Sequence, residues 1–196
     1  VPVLKSYWLT IHVSILTGSY GFLGLGAVLG FMSLILFVFR GKKKKHLDDV
    51  IKQITAISEA ALIVGLAMLT IGNFLGGVWA NESWGRYWGW DPKETWAYVA
   101  IVTYILVLHL RFIKKFNNPF TFSVASLLAF STILMTYFGV NFYLSGMHSY
   151  ASGDPVPVPT WVYVATVSVF VLIAFAYKNR DLKDDFNEDY SEPPKD

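Results

Sequence analysis

Long apolar stretches separated by short polar breaks run along the chain. The apolar stretches cover residues 9–39, 54–79, 95–113, 120–144 and 161–177. At a rise of about 1.5 Å per residue, a helix over each stretch approaches or exceeds the ~30 Å hydrocarbon core of a bilayer. The pattern therefore predicts an all-α fold, a polytopic integral membrane helix bundle with about five transmembrane helices.

Positive charge is concentrated after the first, third and fifth apolar stretches. These basic clusters lie at residues 40–45, 111–115 and 178–180. Because loops on the cytoplasmic side carry an excess of Lys and Arg, we expect all three clusters to be cytoplasmic. The breaks at residues 78–96 and 145–160 then lie on the opposite, outer side of the membrane.

Composition agrees with a membrane protein and narrows its chemistry. The 196 residues are 54% hydrophobic with a net charge of +2, so we expect membrane lipid and no nucleic acid among the partners. The absence of cysteine excludes disulfides and thiolate sites in this chain. Residues 1–180 form the predicted transmembrane domain, and residues 181–196 an acidic, disordered cytoplasmic tail. A chain that begins with Val1 is expected to be a fragment or a processed product.

The tryptophan segment, residues 78–96, is the most unusual part of the chain. It holds five of the seven tryptophans, interleaved with Arg86, Asp91, Lys93 and Glu94. Charges are costly in hydrocarbon, whereas indole rings favour the membrane–water boundary. The cluster is denser than an anchoring belt needs, which indicates a flat aromatic floor for a large planar ligand. Asp91 is expected to be the N-cap of the third helix, although an acid/base role for it and for Glu94 stays open.

The four histidines differ in expected depth. His12 and His148 lie at the outer ends of the first and fourth helices, so two imidazoles flank the tryptophan segment as a suitable axial pair for haem iron. Arg86 or Lys93 would meet the haem propionates. His109 lies inside the bilayer near the cytoplasmic face, where a ligand role and a hydrogen-bonded structural role are equally open. His46 is expected to be a solvated neighbour of the lysines.

Two further expectations concern packing. Glu59 is expected to lie near the inner interface or to pair with a basic side chain there. Glycines along the first helix are expected to allow close helix–helix contact; they are Gly18, Gly21, Gly24, Gly26 and Gly30.

Residues 84–96, Trp-Gly-Arg-Tyr-Trp-Gly-Trp-Asp-Pro-Lys-Glu-Thr-Trp, resemble the "WWD" signature of haem-handling proteins, and Trp-Asp-Pro-Lys-Glu-Thr-Trp is similar to the CcsA (ResC) type of system II cytochrome c biogenesis. The CcmC and CcmF relatives share only the Trp-Gly-x-x-Trp-x-Trp-Asp core. Residues 6–14, 108–111 and 139–150 resemble the family's segments around its histidines. The resemblance therefore extends from about residue 6 to residue 150.

The resemblance implies a role for each matching residue. His12 and His148 would be axial ligands of haem b at an external site, with Trp84, Trp88, Trp90 and Asp91 as floor and frame. His109 would hold haem inside the bundle, opposite a ligand from a CcsB (ResB)-like polypeptide or fused segment.

The implied function is haem transport across the membrane and presentation to apocytochrome c. Thioether attachment to Cys-x-x-Cys-His follows, as in a holocytochrome c synthase (haem lyase type). The implied location is a bacterial inner membrane.

Three alternatives remain open from the sequence. One is a haem-binding chaperone or exporter without ligase activity of its own. Another is an ion or proton transporter that uses Glu59, Asp91 and His109. The third is a structural membrane subunit with tryptophan anchors.

Overall fold

A computed structural model describes residues 6–40, 46–147 and 157–180. Within these ranges the chain forms helices and no strands. The helices are α1 (Tyr7–Arg40), α2 (His46–Trp84), α3 (Pro92–His109), α4 (Pro119–Leu134), α5 (Val140–Tyr143) and α6 (Thr160–Tyr177).

Five helical spans are long and apolar enough to cross a membrane: Tyr7–Arg40, Leu47–Trp84, Pro92–Phe112, Pro119–Tyr143 and Thr160–Tyr177. The predicted all-α membrane bundle is therefore confirmed. Successive spans run in opposite directions. One end of the bundle, here called the tryptophan end, holds the start of α1, the end of α2 and the start of α3. The opposite end is called the basic end.

Helix α1 is the central helix of the bundle, since it packs against α2, α4 and α6. Its glycines make part of this packing possible. A Cβ added at Gly30 would lie 2.8 Å from the backbone oxygen of Ser123, so α1 and α4 approach backbone to backbone there. Gly21 differs, because a Cβ there would meet nothing within 4 Å. The expectation of close packing is thus correct for Gly30 and wrong for Gly21.

Helix α2 is longer than the apolar stretch that predicted it. It starts at His46, with Asp48 and Asp49 in its first turn, where carboxylates interact favourably with the helix dipole. It continues to Trp84 and ends before Gly85, which has a φ of +71°. The first part of the tryptophan segment is therefore helical. Only residues 85–91 form the connection between α2 and α3.

Ion pairs tie the helices together at the basic end. Arg40 of α1 pairs with Asp48 of α2, and its guanidinium also donates to the backbone oxygen of Asn179, at 3.0 Å. Glu59 pairs with Arg111, which confirms the expected basic partner for Glu59. The lysine run at residues 42–45 and the acidic tail at residues 181–196 lie outside the described residues.

The fourth span contains an irregularity that its sequence did not predict. A π-helical turn, Met135–Gly139, joins α4 to α5. Such turns insert one extra residue into the helix and are frequent at functional sites. Here Thr136 and Tyr137 of the turn line the cavity at the tryptophan end.

Candidate functional site

A cavity opens at the tryptophan end between α1, α2, the start of α3 and the π-helical turn. The space not occupied by protein atoms is about 960 Å³, a volume that includes the part of the cavity open to solvent. Its walls are mostly apolar and aromatic, and they include His12, Trp79, Tyr87, Trp88 and Lys93. A largely apolar pocket with a few converging polar groups is the usual form of a ligand site.

His12 is the histidine of this cavity. It is buried, and its Nδ1 lies 2.7 Å from the backbone oxygen of Trp8, one turn earlier on α1. When Nδ1 donates its proton to that carbonyl, Nε2 becomes the nitrogen with the basic lone pair. Such a hydrogen bond is the usual way in which proteins orient a metal-binding imidazole. This geometry is compatible with metal binding through Nε2, and the role of His12 as an iron ligand stays a prediction.

The ring of His12 packs against α2. Its centroid lies 5.4 Å from that of Trp79, which is only 1% exposed, and the planes are tilted by 34°. Trp79 in turn contacts Trp84, and the centroids of these two rings are 4.8 Å apart. On the same helix, a Cβ added at Gly76 would lie 3.5 Å from the imidazole. Trp79 and Gly76 thus shape the environment of His12, and neither was among the predicted site residues.

The three predicted floor tryptophans have different positions. Trp88 is half-buried and lines the cavity, with its ring 5.7 Å from that of Trp90. Trp90 itself is 69% exposed and has a positive φ of 58°, which is uncommon for a bulky residue. Trp84 lies behind Trp79 and is not among the lining residues. Of the tryptophans in the segment, Trp79 and Trp88 therefore line the cavity, whereas Trp84 and Trp90 do not.

Asp91 and Glu94 together cap α3. Asp91 accepts a hydrogen bond from the backbone N–H of Lys93 at 3.2 Å, and Glu94 accepts one from the backbone N–H of Asp91. This reciprocal capping box, followed by Pro92 at the first helical position, satisfies N–H groups that have no partner within the helix. Glu94 also accepts from the backbone N–H of Gly89, at 2.7 Å. The predicted capping role of Asp91 is confirmed.

The two candidate cations of the segment point to different partners. Arg86 pairs with Glu94 at 3.3 Å, donates to the sulfur of Met147 at 2.9 Å and lies 5.6 Å from the ring of Trp84. It is not among the lining residues of the cavity. Lys93 lines the cavity, and its ammonium donates to the side chain of Asn141 at 3.2 Å. Of the two cations, Lys93 is thus nearer to a ligand bound in the cavity.

His148, the second predicted outer ligand, lies outside the described residues. The last described residue before it is Met147, whose backbone N–H donates to Asp91 at 2.6 Å. The predicted pairing of His12 with His148 therefore stays a prediction.

His109 lies at the basic end, in surroundings unlike those of His12. It is exposed at the end of α3, with its Nδ1 2.7 Å from the backbone oxygen of Ile105 and its ring 5.5 Å from that of Phe112. Arg111, two residues later, reaches Glu59 on α2. Glu59 and Gly76 are 17 residues apart on α2, about 26 Å at helical rise, so His12 and His109 occupy opposite ends of the bundle.

The fold and the cavity define a polytopic helical membrane protein with a histidine in an aromatic pocket at one end. Residues 1–148 match the family described as Cytochrome C assembly protein, and the chain belongs to this family.

Among individual relatives, the chain is 56% identical over 183 residues to "Protein NrfI" of Wolinella succinogenes, covering 93% of this chain and 20% of that protein. It is 39% identical over 150 residues to "Cytochrome c biogenesis protein CcsA" of Chlamydomonas reinhardtii, covering 76% of this chain and 42% of the relative. The corresponding CcsA of Guillardia theta is 36% identical over 169 residues, covering 76% of this chain and 56% of the relative. The chain thus spans only part of each of these relatives.

Proposed function

We propose that this chain is the haem-handling part of a system II cytochrome c synthase, which holds haem b at the tryptophan end and presents it to apocytochrome c. The observation that carries the proposal is His12, buried in an aromatic cavity with its Nδ1 against a backbone carbonyl. With Nδ1 donating to that carbonyl, Nε2 would be the nitrogen that binds iron. Membership of the cytochrome c assembly family supports the same proposal.

The residues around the cavity are suited to haem. Trp79, Tyr87 and Trp88 supply aromatic surface for the apolar macrocycle, and Lys93 supplies a cation for a propionate. His12 provides one axial nitrogen. His148 is the second axial ligand in the proposal, on the strength of the resemblance alone. Arg86 would hold the segment in shape through Glu94 and Trp84, instead of meeting a propionate directly.

The attachment reaction needs thiols that this chain lacks. The chain contains no cysteine, so both sulfur atoms come from the Cys-x-x-Cys-His segment of the apocytochrome. Each S–H adds across one vinyl C=C of haem: the sulfur bonds to one carbon and the hydrogen to the other, with no net oxidation. The chain would contribute by holding haem where the thiols arrive, and such positioning can lower a barrier substantially.

The second histidine site would need another polypeptide. His109 is exposed on the outside of α3, so a haem held there would be covered on one side only. We infer that a CcsB (ResB)-like segment supplies the opposite ligand and completes the site. In this proposal the basic end faces the cytoplasm of a bacterium, the tryptophan end faces the periplasm, and haem passes from His109 to His12.

The test is co-expression with a CcsB-like protein and an apocytochrome c. The wild-type chain should show a Soret band when purified and should yield a cytochrome that keeps haem under denaturing electrophoresis. His12→Ala should lose most of both signals, and added imidazole should partly restore the Soret band. Unchanged haem retention in His12→Ala would contradict the proposal.

A second candidate is haem delivery without ligase activity of its own. One observation favours it: Glu94, whose carboxylate is at the cavity wall, already accepts hydrogen bonds from the backbone N–H groups of Gly89 and Asp91, so it is engaged in holding the start of α3. The co-expression experiment separates the two candidates. Haem-loaded chain with no thioether-linked cytochrome, even with the CcsB-like protein present, would favour the delivery function.

A further inference from the structure

Asp91 joins two parts of the tryptophan end that are distant in sequence. One oxygen of its carboxylate accepts from the backbone N–H of Lys93 and so caps α3. The other oxygen accepts from the backbone N–H of Met147, at 2.6 Å and 56 positions further along the chain. A carboxylate has acceptor sites for both bonds, and hydrogen bonds to a charged group are the stronger kind.

The same short segment, residues 146–147, is held by other contacts as well. The guanidinium of Arg86 donates to the sulfur of Met147 at 2.9 Å. Gly146 is packed so closely that an added Cβ would lie 2.5 Å from Asp91 Oδ1 and 2.8 Å from Pro92 Cδ. Backbone, side chain and van der Waals contacts therefore all fix this segment against the start of α3.

A third contact extends the attachment toward the membrane-spanning part. Lys93 donates to the side chain of Asn141 on α5, at 3.2 Å. The start of α3 thus holds the end of the fourth span at two levels, Asn141 and Met147. We call Asp91, Lys93, Asn141, Gly146 and Met147 the outer clamp.

We propose that Asp91 is a positioning residue of the haem site: through the outer clamp it fixes the point from which the chain continues into His148. The inference rests on the proposed function, because it takes His148 to be an axial ligand. Its structural basis is independent of haem and consists of the contacts to Gly146 and Met147. The aspartate of the tryptophan segment would thereby act on the iron through the backbone of another segment, without touching the haem.

The proposal explains why a carboxylate is needed at this position. The two bonds use different oxygens of Asp91, and asparagine in the same position replaces one of these oxygens by an NH₂ group that only donates, so one of the two bonds is lost. Serine or threonine would serve as a cap alone. The double role requires two acceptor oxygens about 2 Å apart on a short side chain, which is aspartate.

Gly146→Ala is the sharpest test, because it leaves Asp91 and the α3 cap chemically intact. The added methyl group cannot fit at these distances, so residue 146 and the side chains of Asp91 and Pro92 must move apart. Gly146 has no positive φ, so alanine is compatible with its backbone conformation. The matched control is Gly21→Ala, since a Cβ at Gly21 meets nothing within 4 Å.

Two measurements are made on the full chain, purified with its CcsB-like partner. Hydrogen exchange reports directly on the clamp: the amide of Met147 should exchange faster in Gly146→Ala than in wild type. The optical spectrum reports on the iron: wild type should show six-coordinate, low-spin haem. Gly146→Ala should retain haem and shift toward a five-coordinate, high-spin signature, which added imidazole reverses. Gly21→Ala should match wild type in both.

The outcomes separate the clamp from the function on which it rests. Absence of haem from the wild type would contradict the proposed function. A haem-loaded wild type with an unchanged low-spin spectrum in Gly146→Ala would overturn the positioning role, whether or not exchange is faster. If Gly146→Ala does not accumulate, Asp91→Asn replaces it, with the same expected shift toward high-spin haem and the same reversal by imidazole. An unchanged spectrum in Asp91→Asn would equally overturn the proposal.

Discussion

The two ends of the bundle each carry a histidine, and they place it in opposite surroundings. At the tryptophan end, His12 is 6% exposed and packs on Trp79 beside an aromatic cavity. At the basic end, His109 is exposed beside Phe112. The cleft that is found near it is lined by polar groups such as Glu59, Arg111 and Asn118, and His109 is not among them. The tryptophan end thus has a pocket that this chain largely builds by itself, whereas the site proposed at His109 would be a half-site that a second polypeptide completes.

We expect the largest difference in stability between alanine variants of a buried and an exposed tryptophan. Trp79→Ala removes a side chain that is 1% exposed and supports His12, so we expect a loss of roughly 3–5 kcal/mol. Trp90→Ala removes a side chain that is 69% exposed and should cost far less. Thermal unfolding of the two purified variants in detergent checks this. Equal losses would show that the cavity does not depend on the packing between α1 and α2.

Replacing each histidine in turn tests whether the two ends differ in how they bind haem. His12→Ala should weaken haem binding by more than the ~10–100-fold that loss of an outer-shell partner of a ligand costs, whether or not a partner is present, because it removes a ligand held within the chain. His109→Ala should have an effect only when the CcsB-like partner is present. Haem titration with and without the partner measures both. Loss of binding in His109→Ala without the partner would contradict a half-site.

Close packing near the basic end should resist added volume. Gly30→Ala places a methyl group 2.8 Å from the backbone oxygen of Ser123, and overpacking of this kind costs roughly 1–3 kcal/mol. Gly21→Ala meets no neighbour within 4 Å and serves as the control. The unfolding midpoints of the two variants provide the measurement. Two equally stable variants would mean that α1 and α4 can separate at little cost.

The smallest expected effect concerns the ion pair at the basic end. Arg111 is 54% exposed, so its pair with Glu59 should contribute only about 0.2–1 kcal/mol. Glu59→Gln should lower the unfolding midpoint slightly, and less at high salt, where exposed charges are screened. A large, salt-independent loss would indicate that the pair is shielded from water. The surroundings of this pair, next to His109, would then be less accessible to water than the exposure of Arg111 indicates.

Hydropathy and charge were sufficient to predict the five spans, because apolar length is a property of the sequence alone. The cap at Asp91 was also predictable, since it follows from local chemistry at a helix end. A basic partner for Glu59 was expected because a carboxylate is costly in the membrane, but no local pattern showed that the partner would be Arg111. The continuation of α2 to Trp84 was not predictable, because a criterion of apolar length stops at the polar residues Asn81, Glu82 and Ser83, whereas the helix includes them. Likewise, no local pattern showed that Arg86 would turn to Glu94 and Met147 while Lys93 lines the cavity.

The π-helical turn in the fourth span changes the direction, around the helix axis, of every side chain that follows it. One residue more in a turn rotates the downstream helix by about 100° around its axis relative to a regular α-helix. Asn141, whose side chain accepts from Lys93, lies on α5, directly after this turn. Deleting a single residue within Met135–Gly139 would therefore rotate α5 about its axis and turn its side chains toward different neighbours, although the span would remain hydrophobic.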